Sequence, residues 1–287
     1  MFSRRHIAPT VATMLATALT SCVAMAVLAT SAQAACIAVP AGDLVSSGHL
    51  QLSINPTLPP LQFVDETGKM KGMNVDLAEE IGKRLCLKVD LLRMDFPAMV
   101  PALNAGRFDG INTGMFWTEA RSKSMYTVPY AMSTIDVIAD PSQKATLNDV
   151  KGLAGHSVGV EADSYQEKWL RERAKEITDA GGKPVDIHAF PTASDMLAAL
   201  RAGQFDFAAL PSYTGAAVVK SKRAKLVLGG QGCTPTTMAF RKKAVAEAVA
   251  KAMDDMMQDG SYAKLMDRYG MTKINTPHIT LVGSGPA

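Results

Sequence analysis

The side chains able to do redox, metal or acid–base chemistry are few and widely spaced. Cysteines stand at Cys22, Cys36, Cys86 and Cys233, and histidines at His6, His49, His156, His188 and His278. With no Cys-x-x-Cys pair and no histidine-rich spacing, no metal centre and no cofactor is expected. No histidine or carboxylate pair falls at a spacing that would build a general acid–base couple, so no catalytic residue is assigned. In an oxidising compartment, the three cysteines after residue 34 would give one disulfide and one thiol left over.

Composition narrows the class. The 287 residues are 47% hydrophobic, 20% charged and 6% aromatic, which excludes a disordered, collagen-like or small disulfide-scaffold chain. A net charge of +3, from 30 basic and 27 acidic residues, gives no reason to expect a nucleic-acid partner. The beginning of the chain differs from the rest. Arg4, Arg5 and His6 precede a mostly apolar run, no acid occurs before Asp43, and Ala32-Gln33-Ala34 fits a small-residue cleavage site. Residues 1–34 therefore read as a secretory signal peptide, favoured over a membrane anchor because the run from Val11 to Ala29 is diluted by Thr, Ser and Ala. Ser3-Arg4-Arg5 is a poor twin-arginine match. Leu19-Thr20-Ser21-Cys22 resembles a lipoprotein box, but the cleavage site beyond it favours removal over anchoring through Cys22. No later segment reaches 18 apolar residues, so the exported chain is expected to be soluble.

Alternation over His49–Ile54 predicts a strand, broken by Asn55-Pro56-Thr57-Leu58-Pro59-Pro60. Phe63–Asp65 with Gly68 reads as a hairpin-like excursion. Val75, Leu77, Ala78, Ile81 and Leu85 recur at helical spacing, Leu87–Leu92 forms a second strand, and a helix over Pro97–Ala105 stops at Gly106. Strand, helix, strand and helix in turn predict a parallel sheet with crossover helices. An internal repeat extends this. Met99, Ala102, Leu103, Ala105, Gly106, Phe108 and Asp109 return as Met196, Ala199, Leu200, Ala202, Gly203, Phe205 and Asp206, seven identities at an offset of 97. Two similar α/β lobes follow, and the loops at the carboxyl edges of their sheets would face each other across a cleft. Ser157–Val160 starts the second lobe. Asp163-Ser164-Tyr165-Gln166 opens its first helix, through Trp169 to Ile177. Helices over Ala244–Gln258 and Ser261–Gly270 close the chain, and the glycine-rich end from 276 to 287 reads as a frayed tail.

The sequence resembles bacterial extracellular solute-binding protein family 3, the periplasmic amino-acid-binding proteins of ABC transporters. The resemblance runs from about Gly48 to Gly270 and is carried by several stretches in order. They are Leu58-Pro59-Pro60-Leu61-Gln62-Phe63-Val64-Asp65, Gly68-Lys69-Met70-Lys71-Gly72-Met73-Asn74-Val75-Asp76-Leu77-Ala78, Val100-Pro101-Ala102-Leu103-Asn104-Ala105-Gly106, Gly114-Met115-Phe116-Trp117-Thr118-Glu119-Ala120-Arg121, Gly152–Val160 and Asp259-Gly260-Ser261-Tyr262. It implies an α/β, two-lobed periplasmic-binding-protein fold, each lobe a mostly parallel sheet flanked by helices, joined by two crossover hinge segments. Lobe one would span 36–132 plus 236–275, and lobe two 133–235. It also implies a periplasmic monomer, an amino-acid-like small-molecule ligand and a membrane permease as partner.

By the same resemblance, Arg121 grips the ligand's carboxylate, which a planar guanidinium fork matches bidentately. Thr113, Gly114 and Phe116 fall where the family contacts that carboxylate. Ser164 and Tyr165 fall at a helix start whose free N–H groups favour an anion, although Asp163 and Ser164 also suit ordinary capping. Leu58 and Leu61 stand where the family has aromatic residues, and Phe96 replaces part of that wall. Pro211 occupies the place of the acid that holds the α-ammonium, so Asp163 or Glu161 would have to substitute. Asn55 stands where binders of basic amino acids carry an acid, which argues against lysine or arginine. A periplasmic cyclohexadienyl dehydratase-like enzyme on the same scaffold is the alternative, with Glu161 or Asp163 as its acid. A ligand sensor is the third reading. Cys36 and Cys86 precede the first two strands of lobe one, which should be neighbours, so they are predicted to pair and leave Cys233 free.

Overall fold

The computed structural model describes residues 35–286; the predicted leader over 1–34, with Cys22, lies outside the described residues. The first half of the chain forms β1 (His49–Ile54), β2 (Thr57–Leu58), β3 (Gln62–Val64), β4 (Met70–Lys71), α1 (Met73–Leu85), β5 (Lys88–Arg93), α2 (Phe96–Asn104), β6 (Gly110–Phe116) and α3 (Glu119–Ser122). There follow β7 (Tyr126–Ala139), β8 (Ser157–Glu161), α4 (Tyr165–Asp179), β9 (Asp186–Phe190), α5 (Ala193–Arg201), β10 (Phe207–Pro211) and α6 (Ser212–Lys220). The last elements are β11 (Lys225–Phe240), α7 (Lys243–Gln258) and α8 (Ser261–Tyr269).

The helical periodicity read from Val75 to Leu85 is realised in α1, where Val75, Leu77, Ala78, Ile81 and Leu85 are all buried on one stripe. Burying each large side chain contributes roughly 1.5–3 kcal/mol, so this face fixes α1 against the sheet. Lys83, on the exposed side of the helix, and Arg84, at the edge of the buried stripe, both pair with Glu80.

The main sheet has eight strands in the order β5-β1-β6-β11-β7-β10-β8-β9. β1 lies parallel between β5 and β6, and β8 lies parallel between β9 and β10. The two halves therefore repeat one α/β arrangement, as the 97-residue offset predicted. The two expected crossover segments are the long strands β7 and β11. They run antiparallel to each other and to the third strand of each half. Their pairing shifts register between Leu226 and Leu228, Leu228 and Gln231, and Gln231 and Thr234, which makes the middle of this ribbon irregular. A separate small sheet, β2-β3-β4, packs beside α1.

The repeated aspartates explain part of the repeat. The Asp109 carboxylate accepts the Gln51 N–H at 2.7 Å, while its own N–H donates to Gln51 O at 2.9 Å. In the second half, Asp206 accepts the Ser157 N–H at 3.1 Å and donates its own to Ser157 O at 3.1 Å. In each half the same side chain ties the start of the middle strand to the approach of the third.

Cys36 and Cys86 are disulfide-bonded with their Cα atoms 5.6 Å apart, and Cys233 is free and exposed. The end of the chain differs from its expectation. Residues 276–286 are docked, not frayed: Ile279 is buried, and Val282 N–H donates to Thr127 O at 3.0 Å while the Thr127 hydroxyl donates to Val282 O at 2.6 Å. Among the described residues no helix is long and apolar enough to cross a membrane.

Candidate functional site: the cleft between the two halves

β6 ends at Phe116, and the chain turns into the short helix α3. The Thr118 hydroxyl caps this helix by accepting the Arg121 N–H at 3.1 Å. That cap fixes the backbone of Arg121 and aims its side chain back over the strand end. Its guanidinium donates to Phe116 O at 2.8 Å and, across the cleft, to Asp163 O at 2.9 Å. It also lies 5.3 Å from the centre of the Phe96 ring, within cation–π range. Burial pushes the Arg121 pKa down to about 10, opposed by the nearby Asp163 charge, and leaves the group cationic at neutral pH. Both acceptors it touches are neutral carbonyls, so the guanidinium has no bonded carboxylate of its own.

Three further contacts cross the same cleft. The Asn55 amide, just past β1, donates to Glu161 at the end of β8 at 2.9 Å. The Tyr213 hydroxyl, from the first turn of α6, donates to Gly114 O at 3.4 Å. The rings of Phe116 and Tyr165 lie 5.5 Å apart. Glu161 is pushed up to about 8, chiefly by desolvation and also by the like charge of Asp95; the Ala193 N–H and the Asn55 amide oppose the shift.

The residues predicted from sequence divide into two groups. Arg121, Phe96, Phe116, Asp163 and Tyr165 meet as described. Thr113 and Ser164 are largely committed to the scaffold. The Thr113 hydroxyl accepts the Asn55 N–H at 2.9 Å and the Gln62 amide at 3.2 Å. The Ser164 hydroxyl caps α4 by accepting the Glu167 N–H at 3.0 Å, and the Glu167 carboxylate takes the Asp163 N–H at 2.6 Å. Gly114 has φ +80°, and a Cβ there would come within 2.6 Å of Leu61 and 2.8 Å of the Tyr213 hydroxyl. Leu58 and Pro211 are buried at the ends of β2 and β10, and neither bonds to this group. Tyr213 was missed, although the 97-residue offset carried forward from Phe116 lands on it. A separate cavity of about 150 Å³, lined by Thr57, Pro59, Leu197, Arg201 and Arg223, shares none of these residues.

Two repeated α/β halves joined by two long strands, with a cation and facing polar groups between them, define a two-lobed solute-binding protein. The family model for bacterial extracellular solute-binding proteins, family 3, matches residues 50–272, and the chain belongs to that family. It is 25% identical over 227 residues to the L-cystine-binding protein TcyJ of Escherichia coli K12, covering 77% of this chain and 82% of that one. It is 26% identical to a probable ABC transporter arginine-binding protein, ArtJ, of Chlamydia trachomatis, covering 76% and 84% of the two chains. Among solved structures, an ancestral arginine-binding protein bound to arginine superposes with a TM-score of 0.71 at 31% identity, covering 77% of this chain and 98% of that one. A histidine kinase sensor domain shares the fold with a TM-score of 0.70 at 21% identity. The cystine-binding and arginine-binding relatives are, by their names, binding proteins.

Proposed function

We propose that this protein is the periplasmic substrate-binding component of an ABC importer and that it binds an amino acid or amino-acid derivative through its carboxylate. The observation that carries this reading is Arg121. A half-buried guanidinium that remains charged, bonded to two main-chain carbonyls and placed over Phe96, is a ready partner for an incoming carboxylate. The carboxylate would replace the Asp163 carbonyl in the fork. The names of the relatives, which include cystine and arginine binders, support an amino acid.

On this reading the segments 36–132 plus 236–275 and 133–235 move as two lobes about β7 and β11 and close on the solute. The protein is exported by cleavage after Ala34, works as a monomer and hands its solute to an inner-membrane permease. A thermal-shift scan with the twenty L-amino acids and L-cystine tests it, alongside native mass spectrometry of freshly purified protein. At least one of these should stabilise the protein; no stabilisation and no co-purified carboxylate would overturn the reading. Glu161 gives one observation in favour of an acid-catalysed enzyme, because a carboxyl held up to about 8 keeps its proton at neutral pH. Turnover of prephenate or arogenate by the purified protein would establish that alternative.

A further inference from the structure

The chain after α8 turns back over α7 and the start of β7 and ends against the turn that carries Arg121. Residues 273–286 form this strap, which lies beyond the stretch, 50–272, that matches the family model. It is held at three places. Near its start the Ile274 N–H donates to the Tyr262 hydroxyl at 3.0 Å, and that hydroxyl donates to Tyr130 O at 2.9 Å. Midway, Ile279 is buried and its N–H donates to Asp254 of α7 at 3.1 Å, while His278 Nδ1 lies 3.1 Å from the same carboxylate. Farther on, Val282 and Thr127 make the two bonds already described. The last contacts reach α3. The backbone at Gly283 and Gly285 lies so close that a Cβ would fall 2.2 Å from Ser122 and 2.5 Å from Tyr126. α3 depends on such support, because it has only four residues and a single turn has little stability of its own. Its leading end is tied to β11, where the Trp117 N–H donates to Pro235 O at 2.8 Å and the Thr234 hydroxyl donates to Trp117 O at 3.1 Å. Its trailing end is Ser122, which is 1% exposed and sits against Gly283.

We propose that the strap is a positioning element for Arg121: by bearing on Ser122 and Tyr126 it holds the trailing end of α3, and so keeps the guanidinium aimed into the cleft. The inference rests on the carboxylate reading of Arg121 given above. Arg121 and Ser122 share one rigid peptide unit, so a shift of Ser122 carries the Arg121 backbone with it. The Arg121 carbonyl accepts the Ser124 N–H at 3.0 Å and the Met125 N–H at 3.1 Å, which joins this turn to the start of β7. Thr127, to which the strap is bonded, is the second residue of that strand. The strap therefore braces both the residue after Arg121 and the strand onto which its turn runs. A guanidinium that must reach the Phe116 and Asp163 carbonyls and the Phe96 ring together depends on where its Cα stands. Glycine is needed at 283 on two counts, the close approach to Ser122 and a φ of +85°. Gly283 and Thr127 are thus positioning residues, acting on the solute through Arg121.

The test uses the full chain with two changes in the strap contact. Gly283→Val places a side chain where Ser122 stands, and Thr127→Val removes the hydroxyl bond to Val282 O at nearly constant volume. Each is compared with the wild type by hydrogen exchange of the amides at 121–125 and by calorimetric titration. The titrant is the amino acid that raises the melting temperature most in the scan of twenty L-amino acids and L-cystine. In Gly283→Val the α3 amides should exchange at least about tenfold faster while those of β1 and β6 are unchanged. Affinity should fall by at least about fivefold, and Thr127→Val should move both readings the same way by less. In an Arg121→Ala background, Gly283→Val should change affinity by less than about twofold, which a general loosening of the fold would not produce. If Gly283→Val does not fold, Thr127→Val carries the same comparisons. Wild-type affinity in folded Gly283→Val and Thr127→Val proteins, with binding weakened in Arg121→Ala, would overturn the inference and leave the carboxylate reading intact. Unchanged exchange at α3 in both would overturn it as well. If Arg121→Ala itself binds normally, the carboxylate reading fails, and faster exchange at α3 would still support the hold of the strap on that turn.

Discussion

Replacing Arg121 is the perturbation that most directly probes the cleft. Its guanidinium makes two bonds, of 2.8 and 2.9 Å, to main-chain carbonyls, and packs on Phe96 at 5.3 Å. Burial draws its pKa down to about 10, so part of the guanidinium's desolvation is already built into the fold. A carboxylate that replaces the Asp163 carbonyl exchanges a neutral acceptor for a charged one in a pre-formed fork. Truncating one member of such a desolvated pair typically costs about 2–5 kcal/mol, and each 1.4 kcal/mol or so is a factor of ten. Arg121→Ala should therefore weaken binding of the best-bound amino acid by at least about thirtyfold. Arg121→Lys should recover only part of this, since an ammonium cannot reproduce the planar fork. Stability should change little, because both carbonyl acceptors can turn to water once the cleft opens. Calorimetric titration and thermal melts of the two variants measure both quantities. An affinity within threefold of wild type for Arg121→Ala would refute the carboxylate assignment.

Further outcomes follow from other parts of the molecule. Replacing Cys36 and Cys86 by serine opens a loop with a sequence separation of 50, which in the chain-entropy model costs on the order of 4 kcal/mol, and denaturant titration should show a fall of that size or less. Gly114→Ala would force a Cβ to within 2.6 Å of Leu61 at a φ of +80°, and should destabilise the fold by about 1–3 kcal/mol; an unchanged melting temperature would contradict the packing described. The buried Asp136 carboxyl in β7, raised in pKa by desolvation and bonded only to the Gly230 N–H at 3.2 Å, favours its protonated form in the folded state. For an acid with a raised pKa, stability is lost as pH rises from the unfolded value through the folded one, so Asp136→Asn should stabilise at pH 8 and have little effect near pH 4. Thermal melts at the two pH values would show it, and a destabilised Asp136→Asn at pH 8 would count against it.

What could be read from the sequence follows from how each contact is encoded. α1 was legible because burial of one helical face requires apolar residues at fixed spacing, and the two-lobed plan was legible because the repeat copies side chains with defined jobs. Asp109 and Asp206 recur because each ties two strands together through its own backbone and carboxylate. The cleft was legible only where side chains act. The acceptors on Arg121 are carbonyls of Phe116 and Asp163, and every residue has a carbonyl, so no choice of residue type announces them. Thr113 carries a second job that its residue type does not announce: its hydroxyl accepts the Asn55 N–H and the Gln62 amide and so ties the scaffold together.

The end of the chain shows why glycine is the least decodable signal. Gly283 and Gly285 read as flexibility because glycine loosens an unrestrained chain. Here they answer to close approach. A Cβ at 283 would meet Ser122 at 2.2 Å, and one at 285 would meet Tyr126 at 2.5 Å. The same absence of a side chain that permits fraying also permits a strap to lie flat against the residues that follow Arg121. Which of the two occurs is decided by partners elsewhere in the sequence, here the backbone and hydroxyl of Thr127, which hold Val282 from both sides.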